Sequence, residues 1–217
     1  MYGISEVISM KIGIMGGTFD PIHNGHLHLA RTALTQFDLD QIWFMPNGMP
    51  PHKKQSSIES DIHERIAMTQ IAIKANKQFY LQEYEAKREK VSYSYKTMEH
   101  FRKIYPDDEF YFIIGADSLF SIETWKHPER LFKACIILAA CRDEAATKES
   151  LNGQIQMLKG KYGAYIKFLA MPLEHVSSHE IRKLIESGEP VSEYIPAEVE
   201  AYIRKEGLYG SGNRKNQ

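Results

Sequence analysis

Short apolar runs alternate with longer amphipathic segments along almost the whole chain of 217 residues. Two of these runs, Phe110–Ile114 and Cys135–Ala140, are nearly continuous in apolar residues, which is typical of strands that are covered on both faces. A strand followed by a helix, repeated, favours right-handed crossovers between parallel strands. The pattern predicts an α/β protein with a doubly wound, mainly parallel sheet, helices on both faces and a small helical part at the C-terminus.

The same pattern predicts six strands and six helices in alternation. The predicted strands are Lys11–Met15, Gln41–Met45, Phe79–Gln82, Glu109–Ile114, Ala134–Ala140 and Ala164–Leu169. The predicted helices are Gly25–Gln36, Ile62–Ala75, Tyr95–Ile104, Glu144–Lys159, Ser178–Glu186 and Pro196–Lys205. A single domain over residues 10–209 is expected, with an N-terminal extension at 1–9 and a flexible, polar tail at 210–217.

Composition limits the partners and the compartment. The chain carries 27 Lys and Arg against 28 Asp and Glu, so bulk charge does not favour nucleic acid as a partner. The two cysteines cannot build a disulfide framework, which favours a reducing compartment. The longest apolar run, Ala134–Cys141, is too short to span a membrane, and no signal peptide is visible. We therefore expect a cytoplasmic protein without a membrane partner; the sequence leaves its oligomeric state open, a homo-oligomer included.

The segment after the first predicted strand combines several features of a phosphate site. Gly16 and Gly17 allow close approach of the backbone, and their N–H groups can face phosphate oxygens. The helix that begins near Gly25 presents its positive end to the same anion. His23 and His26 are three residues apart and share one side of the first helical turn. A glycine turn with two surface histidines, or half of a metal site, is the alternative.

A second candidate anion site lies near the C-terminus, at the start of the predicted helix Ser178–Glu186. Ser177 and Ser178 precede or open this helix, and Arg182 follows one turn later. Small hydroxyls at a helix N-terminus together with an arginine can bind an anion. The structural alternative is a helix N-cap with a solvated arginine.

These segments resemble a known superfamily. The run from Gly16 to His26 resembles the motif of the HxGH nucleotidyltransferases, and the run from Val176 to Arg182 resembles the ISSTxIR motif of adenylyltransferases, with His179 in place of the third hydroxyl. The stretches Trp43–Lys53, Gly115–Ser118 with Trp125, and Tyr202–Tyr209 are similar to nicotinate-mononucleotide adenylyltransferases. The resemblance covers Met10 to Tyr209 and implies a Rossmann-like fold.

The resemblance implies transfer of AMP from ATP to nicotinic acid mononucleotide, with Mg²⁺ accompanying ATP and no dedicated metal site. The implied catalytic residues are His23, His26 and Lys53. The implied ATP and phosphate contacts are Gly16, Gly17, Thr18, Phe19, Asp117, Ser177, Ser178 and Arg182. The implied mononucleotide contacts are Asn47, Thr97, Trp125 and Arg142. Another HxGH adenylyl- or cytidylyltransferase, such as phosphopantetheine adenylyltransferase, and a non-catalytic nucleotide sensor are the alternatives.

Several of these residues have a structural interpretation as well. Trp125 also fits core packing, Thr97 a helix surface, Asp117 a helix cap and Lys53 a solvated loop. Arg142 is followed by Asp-Glu where the family commonly has Pro-Gly. The charged run Glu83–Lys90 is interpreted as a solvated face or loop.

Overall fold

The computed structural model describes residues 9–48, 58–88, 90–142, 145–171 and 177–215. Six strands form one parallel sheet in the order β3-β2-β1-β4-β5-β6. They are β1 Lys11–Gly17, β2 Gln41–Pro46, β3 Phe79–Leu81, β4 Glu109–Gly115, β5 Ile136–Arg142 and β6 Ile166–Met171. The strand order reverses between β1 and β4, so the predicted doubly wound, Rossmann-like α/β fold is confirmed.

Helices cover both faces of this sheet. The α-helices of the described residues are α1 Asn24–Gln36, α2 Ile62–Ile73, α3 Ser94–Ile104, α4 Ala116–Ser121, α5 Pro128–Ala134, α6 Ala145–Tyr162, α7 Ser178–Ser187 and α8 Ala197–Glu206. Two 3-10 helices, Ile122–Thr124 and Leu208–Lys215, complete the described elements. None of the described helices is long and apolar enough to cross a membrane.

The side chains of each strand alternate between two apolar layers. In β4, Phe110, Phe112 and Ile114 pack with α3, α4, α5 and α6. Tyr111 and Ile113 point to the opposite layer, which contains the apolar faces of α1, α2, α7 and α8. Because both faces of β4 are buried, its sequence is a continuous apolar run, and periodicity alone could not assign its faces.

The structure has short helices that the prediction lacked. The helices α4 and α5, together with the 3-10 helix between them, were not predicted because one or two turns carry too little periodicity. Near the C-terminus, the 3-10 helix Leu208–Lys215 follows α8, and the hydroxyl of Ser211 donates to the carbonyl oxygen of Ile203 (2.9 Å).

Candidate active site

A cavity of about 390 Å³ opens at the carboxyl ends of β1, β2 and β4, where the strand order reverses. Loops diverge at such a switch point, and the space between them receives ligands in sheets of this type. The lining residues are Met15, Gly16, Gly17, Thr18, His26, Leu29, Met45, Asn47, Glu85, Ser92, Tyr93, Ser94, Tyr95, Phe112, Ile113, Ile114, Gly115, Ser118, Trp125, Lys126 and Leu131. The structure thus brings together six of the predicted site residues: Gly16, Gly17, Thr18, His26, Asn47 and Trp125.

The glycines at the end of β1 bring backbone to the cavity wall. Gly16 and Gly17 are the last residues of the strand, and Thr18 follows them. A Cβ atom on Gly17 would lie 2.6 Å from a ring carbon of Phe19. The side chain of Phe19 is buried in the core, so only the backbone of this residue can contact a ligand. The backbone of Phe19 has a φ of +51°, in the left-handed region.

The two histidines occupy different positions. His26 lines the cavity, and its Nδ1 accepts a hydrogen bond from the backbone N–H of His23 (3.2 Å). A neutral His26 ring therefore carries its proton on Nε2, which is the donor atom of this ring. Phe19 supports this ring edge-on, with the ring centroids 5.0 Å apart.

His23 is buried beside His26 and lies outside the residues that line the cavity. The two imidazole centroids are 3.7 Å apart. Burial lowers the pKa of His23 to about 4, because the charged imidazolium is poorly solvated there. His23 is therefore neutral at pH 7, and its Nδ1 has no hydrogen-bond partner among the described residues.

Aromatic side chains also line the cavity. Trp125 is half-buried and makes an edge contact with Phe112, with ring centroids 6.5 Å apart. Tyr95, Ser94 and Lys126 line the cavity as well. An indole ring in a cavity wall can stack on a planar ring, so this part of the cavity suits a flat heterocycle.

Thr97 does not line the cavity. It is buried in α3, and its hydroxyl donates to Oε1 of Glu85 (2.7 Å). Glu85 does line the cavity, and burial raises the pKa of its carboxyl group. The interpretation of Glu83–Lys90 as a solvated run is therefore wrong for Glu85, because the turn folds this carboxyl inward. The sequence prediction also missed Ser94, whose side chain carries a hydroxyl group. Ser94 is the first residue of α3 and lines the cavity.

The backbone of the loop after β2 comes close to the backbone of the turn that carries Glu85. A Cβ atom on Gly48 would lie 2.5 Å from the carbonyl oxygen of Glu85. That oxygen is fixed in the main chain, so a larger residue at position 48 forces the two loops apart. The neighbouring Asn47 lines the cavity, and its position depends on this contact.

Gly48→Ala is expected to lower the free energy of unfolding by about 1–3 kcal/mol through overpacking. Gly153→Ala is the matched control. Gly153 lies in α6, and a Cβ atom at this position would have no neighbour within 4 Å. The control is expected to raise stability by about 0.5–1 kcal/mol, since alanine favours a helix. Urea unfolding of both variants measures the difference; equal stabilities would mean that the loops separate at no cost.

The second predicted motif meets the first one in space. Ser178 at the start of α7 donates its hydroxyl to the carbonyl oxygen of Pro21 (2.9 Å). Arg182 donates to the carbonyl oxygen of Asp20 (2.7 Å) and, through Nε, to the carboxylate of Glu59 (2.7 Å). Ser177 is the N-cap of α7, as its structural alternative predicted, and forms a capping box with Glu180. These contacts place α7 directly against the loop between β1 and α1.

Asp20 holds that loop from the other side. Its buried carboxylate accepts from the hydroxyl of Tyr209 (2.6 Å) and from the N–H of Glu59 (2.8 Å). Burial and the charge of Asp20 raise the pKa of Tyr209, which stays protonated as a donor. Ser60 in turn donates its hydroxyl to Tyr209 (2.8 Å). The C-terminal 3-10 helix is thereby tied to the loop that follows β1, which no local pattern indicated.

Three predicted site residues remain. Asp117 lies in the first turn of α4 and is exposed, beside the cavity-lining Ser118. Lys53 lies outside the described residues. Arg142 is described only as the last residue of β5, where its backbone pairs with Met171.

The chain is similar to known proteins over most of its length. A family model described as cytidylyltransferase-like matches residues 14–184. A "Probable nicotinate-nucleotide adenylyltransferase" of Clostridium kluyveri is 40% identical over 202 residues, which cover 92% of this chain and 99% of that protein. A protein of the same name from Carboxydothermus hydrogenoformans is 43% identical over 199 residues, which cover 92% and 98% of the two chains.

A solved structure shares the fold. Plasmodium falciparum nicotinic acid mononucleotide adenylyltransferase complexed with NaAD matches with a TM-score of 0.72 and 22% identity. The match covers 93% of this chain and 98% of the other.

Proposed function

This chain belongs to the cytidylyltransferase-like family and, within it, to the nicotinate-nucleotide adenylyltransferases, and from that premise we propose that it transfers AMP from ATP to nicotinic acid mononucleotide. The products are nicotinic acid adenine dinucleotide and pyrophosphate, a step of NAD biosynthesis. One observation carries the proposal. One cavity at the switch point is lined both by Gly16–Thr18 and His26 and by the indole of Trp125.

The reaction proceeds by direct in-line attack. A phosphate oxygen of the mononucleotide forms a bond to the α-phosphorus of ATP as the bond from that phosphorus to pyrophosphate breaks, and the electron pair leaves with pyrophosphate. Such a step needs positioning and positive potential rather than a covalent intermediate. Burial raises the pKa of the Cys135 thiol, and Cys141 is also buried, so neither cysteine is suited to act as a nucleophile.

The phosphate groups are bound at the end of β1. His26 donates from Nε2 to phosphate oxygens as charge builds on them, and the backbone N–H groups of Gly16, Gly17, Thr18 and Phe19 line the phosphate path. His23 holds His26 in the required tautomer through its N–H and lies directly behind it. Lys53 contributes positive charge to the same phosphates.

The remaining contacts divide between the two substrates. Trp125 stacks on the pyridine ring, and Asn47 and Arg142 contact the mononucleotide. Thr97 influences the binding of the pyridine ring indirectly, because its hydroxyl donates to the carboxylate of Glu85. Asp117 contacts the ATP ribose from the start of α4. Ser177, Ser178 and Arg182 bind the outer phosphates.

Mg²⁺ enters with ATP as part of the substrate. Among the described residues, no three His, Cys, Asp or Glu side chains come together as ligands. We expect phosphate oxygens and water to bind this cation.

The proposal is tested by incubating the protein with ATP, Mg²⁺ and each candidate acceptor in turn. We expect nicotinic acid adenine dinucleotide and pyrophosphate in equal amounts from nicotinic acid mononucleotide. Turnover of phosphopantetheine or of CTP instead would assign the chain to a sister transferase. Binding of ATP without any product would make it a nucleotide sensor.

Arg182→Ala is expected to raise the KM for ATP by about tenfold or more, because charge-assisted bonds to the outer phosphates are lost. The KM for the mononucleotide is expected to change by less than about twofold, since that substrate does not reach α7. Steady-state kinetics with each substrate varied measures both. An unchanged KM for ATP, with circular dichroism like that of the wild type, would leave the segment with a structural role only.

Glu59→Gln is the complementary variant. The Glu59 carboxylate occupies Nε of Arg182 and competes with phosphate for it. Removing this charge is expected to lower the KM for ATP by up to about fivefold, the range of a partly exposed ion pair. A higher KM for ATP in this variant would mean that Glu59 assists binding.

A further inference from the structure

Arg65 lies in the first turn of α2 and is 2% exposed. Its Nη1 donates to the carbonyl oxygens of Thr18 (2.8 Å) and Asn47 (2.9 Å). Thr18 follows β1 and Asn47 follows β2, and both residues line the cavity. One guanidinium group therefore joins the two loops that form the phosphate end of the site. No sequence motif indicated this residue.

These two bonds set the direction of two peptide planes. In a trans peptide the C=O and the N–H point in opposite directions. The carbonyl oxygens of Thr18 and Asn47 point to Arg65, so the N–H groups of Phe19 and Gly48 point away from it. Neither N–H donates to a described residue. Within the described part of the chain these two N–H groups have no acceptor, which makes them candidate donors to an anionic ligand.

The surroundings of Arg65 favour a role in the site over a role in stability. Burial lowers the pKa of the guanidinium, and Asp20 and Tyr209 partly oppose this effect. Its Nε–H is buried and has no hydrogen-bond partner among the described residues. A buried cation with an unpaired donor is a weak stabiliser compared with an apolar side chain of similar volume.

We propose that Arg65 is a positioning residue for phosphoryl transfer: it holds the loops after β1 and β2 so that the N–H groups of Phe19 and Gly48 face the phosphates. This inference rests on the proposed function. Arg65 touches neither substrate; it acts through the Thr18 and Asn47 carbonyls. Its buried charge adds positive potential behind the same loops, where solvent screens it little.

The test compares Arg65→Met, Arg65→Lys and Thr69→Val. Thr69 is the matched control for damage to α2, because its buried hydroxyl donates to the carbonyl oxygen of Arg65 (2.7 Å) within the same helix. For each variant we measure kcat and both KM values, the Kd for ATP by calorimetry, and thermal unfolding.

Arg65→Met is expected to lower kcat about 30- to 100-fold, because donors displaced by a fraction of an ångström lose transition-state stabilisation. Its Kd for ATP is expected to change by less than about threefold. Arg65→Lys keeps the charge and one donor, so it is expected to recover at least about tenfold of the lost rate. Thr69→Val is expected to keep the wild-type kcat even if its melting temperature falls as far as that of Arg65→Met.

A kcat for Arg65→Met within about threefold of the wild type would overturn the proposal. The same holds if Thr69→Val loses activity in proportion to its melting temperature, or if Arg65→Lys is no faster than Arg65→Met. If Arg65→Met does not fold, the kcat of Arg65→Lys is compared with that of Thr69→Val, with the melting temperature of each variant measured, and this comparison tests the proposal. A wild-type protein that makes no dinucleotide would instead refute the proposed function, whereas an active wild type with an unaffected Arg65→Met refutes only this inference.

Discussion

His26→Ala is expected to lower kcat by about 10²–10³-fold, the usual loss when one preorganised donor to a developing charge is removed. The Nδ1 atom of His26 accepts from the backbone N–H of His23, so the neutral ring carries its proton on Nε2 before substrate binds. The Kd for ATP is expected to change by less than about threefold, because this contact strengthens only in the transition state. Steady-state kinetics together with calorimetric titration of ATP measures both quantities.

His28→Ala provides the control for His26→Ala. His28 lies two residues further along α1 and is exposed, so its loss removes an imidazole from the same helix at a place outside the cavity. The control is expected to keep the wild-type kcat. A kcat for His26→Ala within about threefold of the control would contradict the assigned role.

Nicotinic acid mononucleotide is expected to be used at least about 100-fold more efficiently than its amide form, measured as kcat/KM. The acid form presents a carboxylate, which accepts hydrogen bonds only, whereas the amide also presents two N–H donors. The hydroxyl of Ser94 lies in the cavity wall with Trp125, and the Ser92 hydroxyl oxygen there is buried without a partner among the described residues. Donors of this kind pair with a carboxylate and leave an amide NH₂ unpaired.

Glu85 makes this preference depend on pH. Its carboxyl group lines the cavity, and burial raises its pKa, so the neutral form persists to a higher pH than for an exposed glutamate. A charged Glu85 repels the substrate carboxylate and accepts from an amide. The acid preference is therefore expected to fall as the pH rises through the pKa of Glu85, and to become independent of this titration in Glu85→Gln.

Parallel assays of the two mononucleotides across a pH series measure the preference in the wild type, Glu85→Gln and Ser94→Ala. Ser94→Ala is expected to lower the preference, because one donor to the carboxylate is removed. Comparable efficiencies for the acid and amide forms in the wild type would contradict the prediction and place the enzyme among those with dual specificity. The transfer of AMP would be unaffected by that result.

Local sequence patterns were enough to predict the sheet, the helices on both of its faces and the edge at which the site lies. Apolar runs such as Phe110–Ile114 carry this information locally, and the handedness of crossovers converts their order along the chain into a spatial order. The positions of Gly16, Gly17 and His26 followed for the same reason, since the end of a strand and the start of a helix are local features. The short helices α4 and α5 were missed because one or two turns carry too little periodicity.

Contacts between groups that are distant in sequence could not be predicted without the folded structure. Arg182 contacts the carbonyl of Asp20 from 162 residues away, and the Tyr209 hydroxyl contacts the Asp20 carboxylate from 189 residues away. The burial of Glu85 and the bridge made by Arg65 are of the same kind. Each depends on how α2, α3, α7 and the C-terminal 3-10 helix pack on the sheet. The free energy of that packing is a sum over both apolar layers, so no short segment of sequence encodes it.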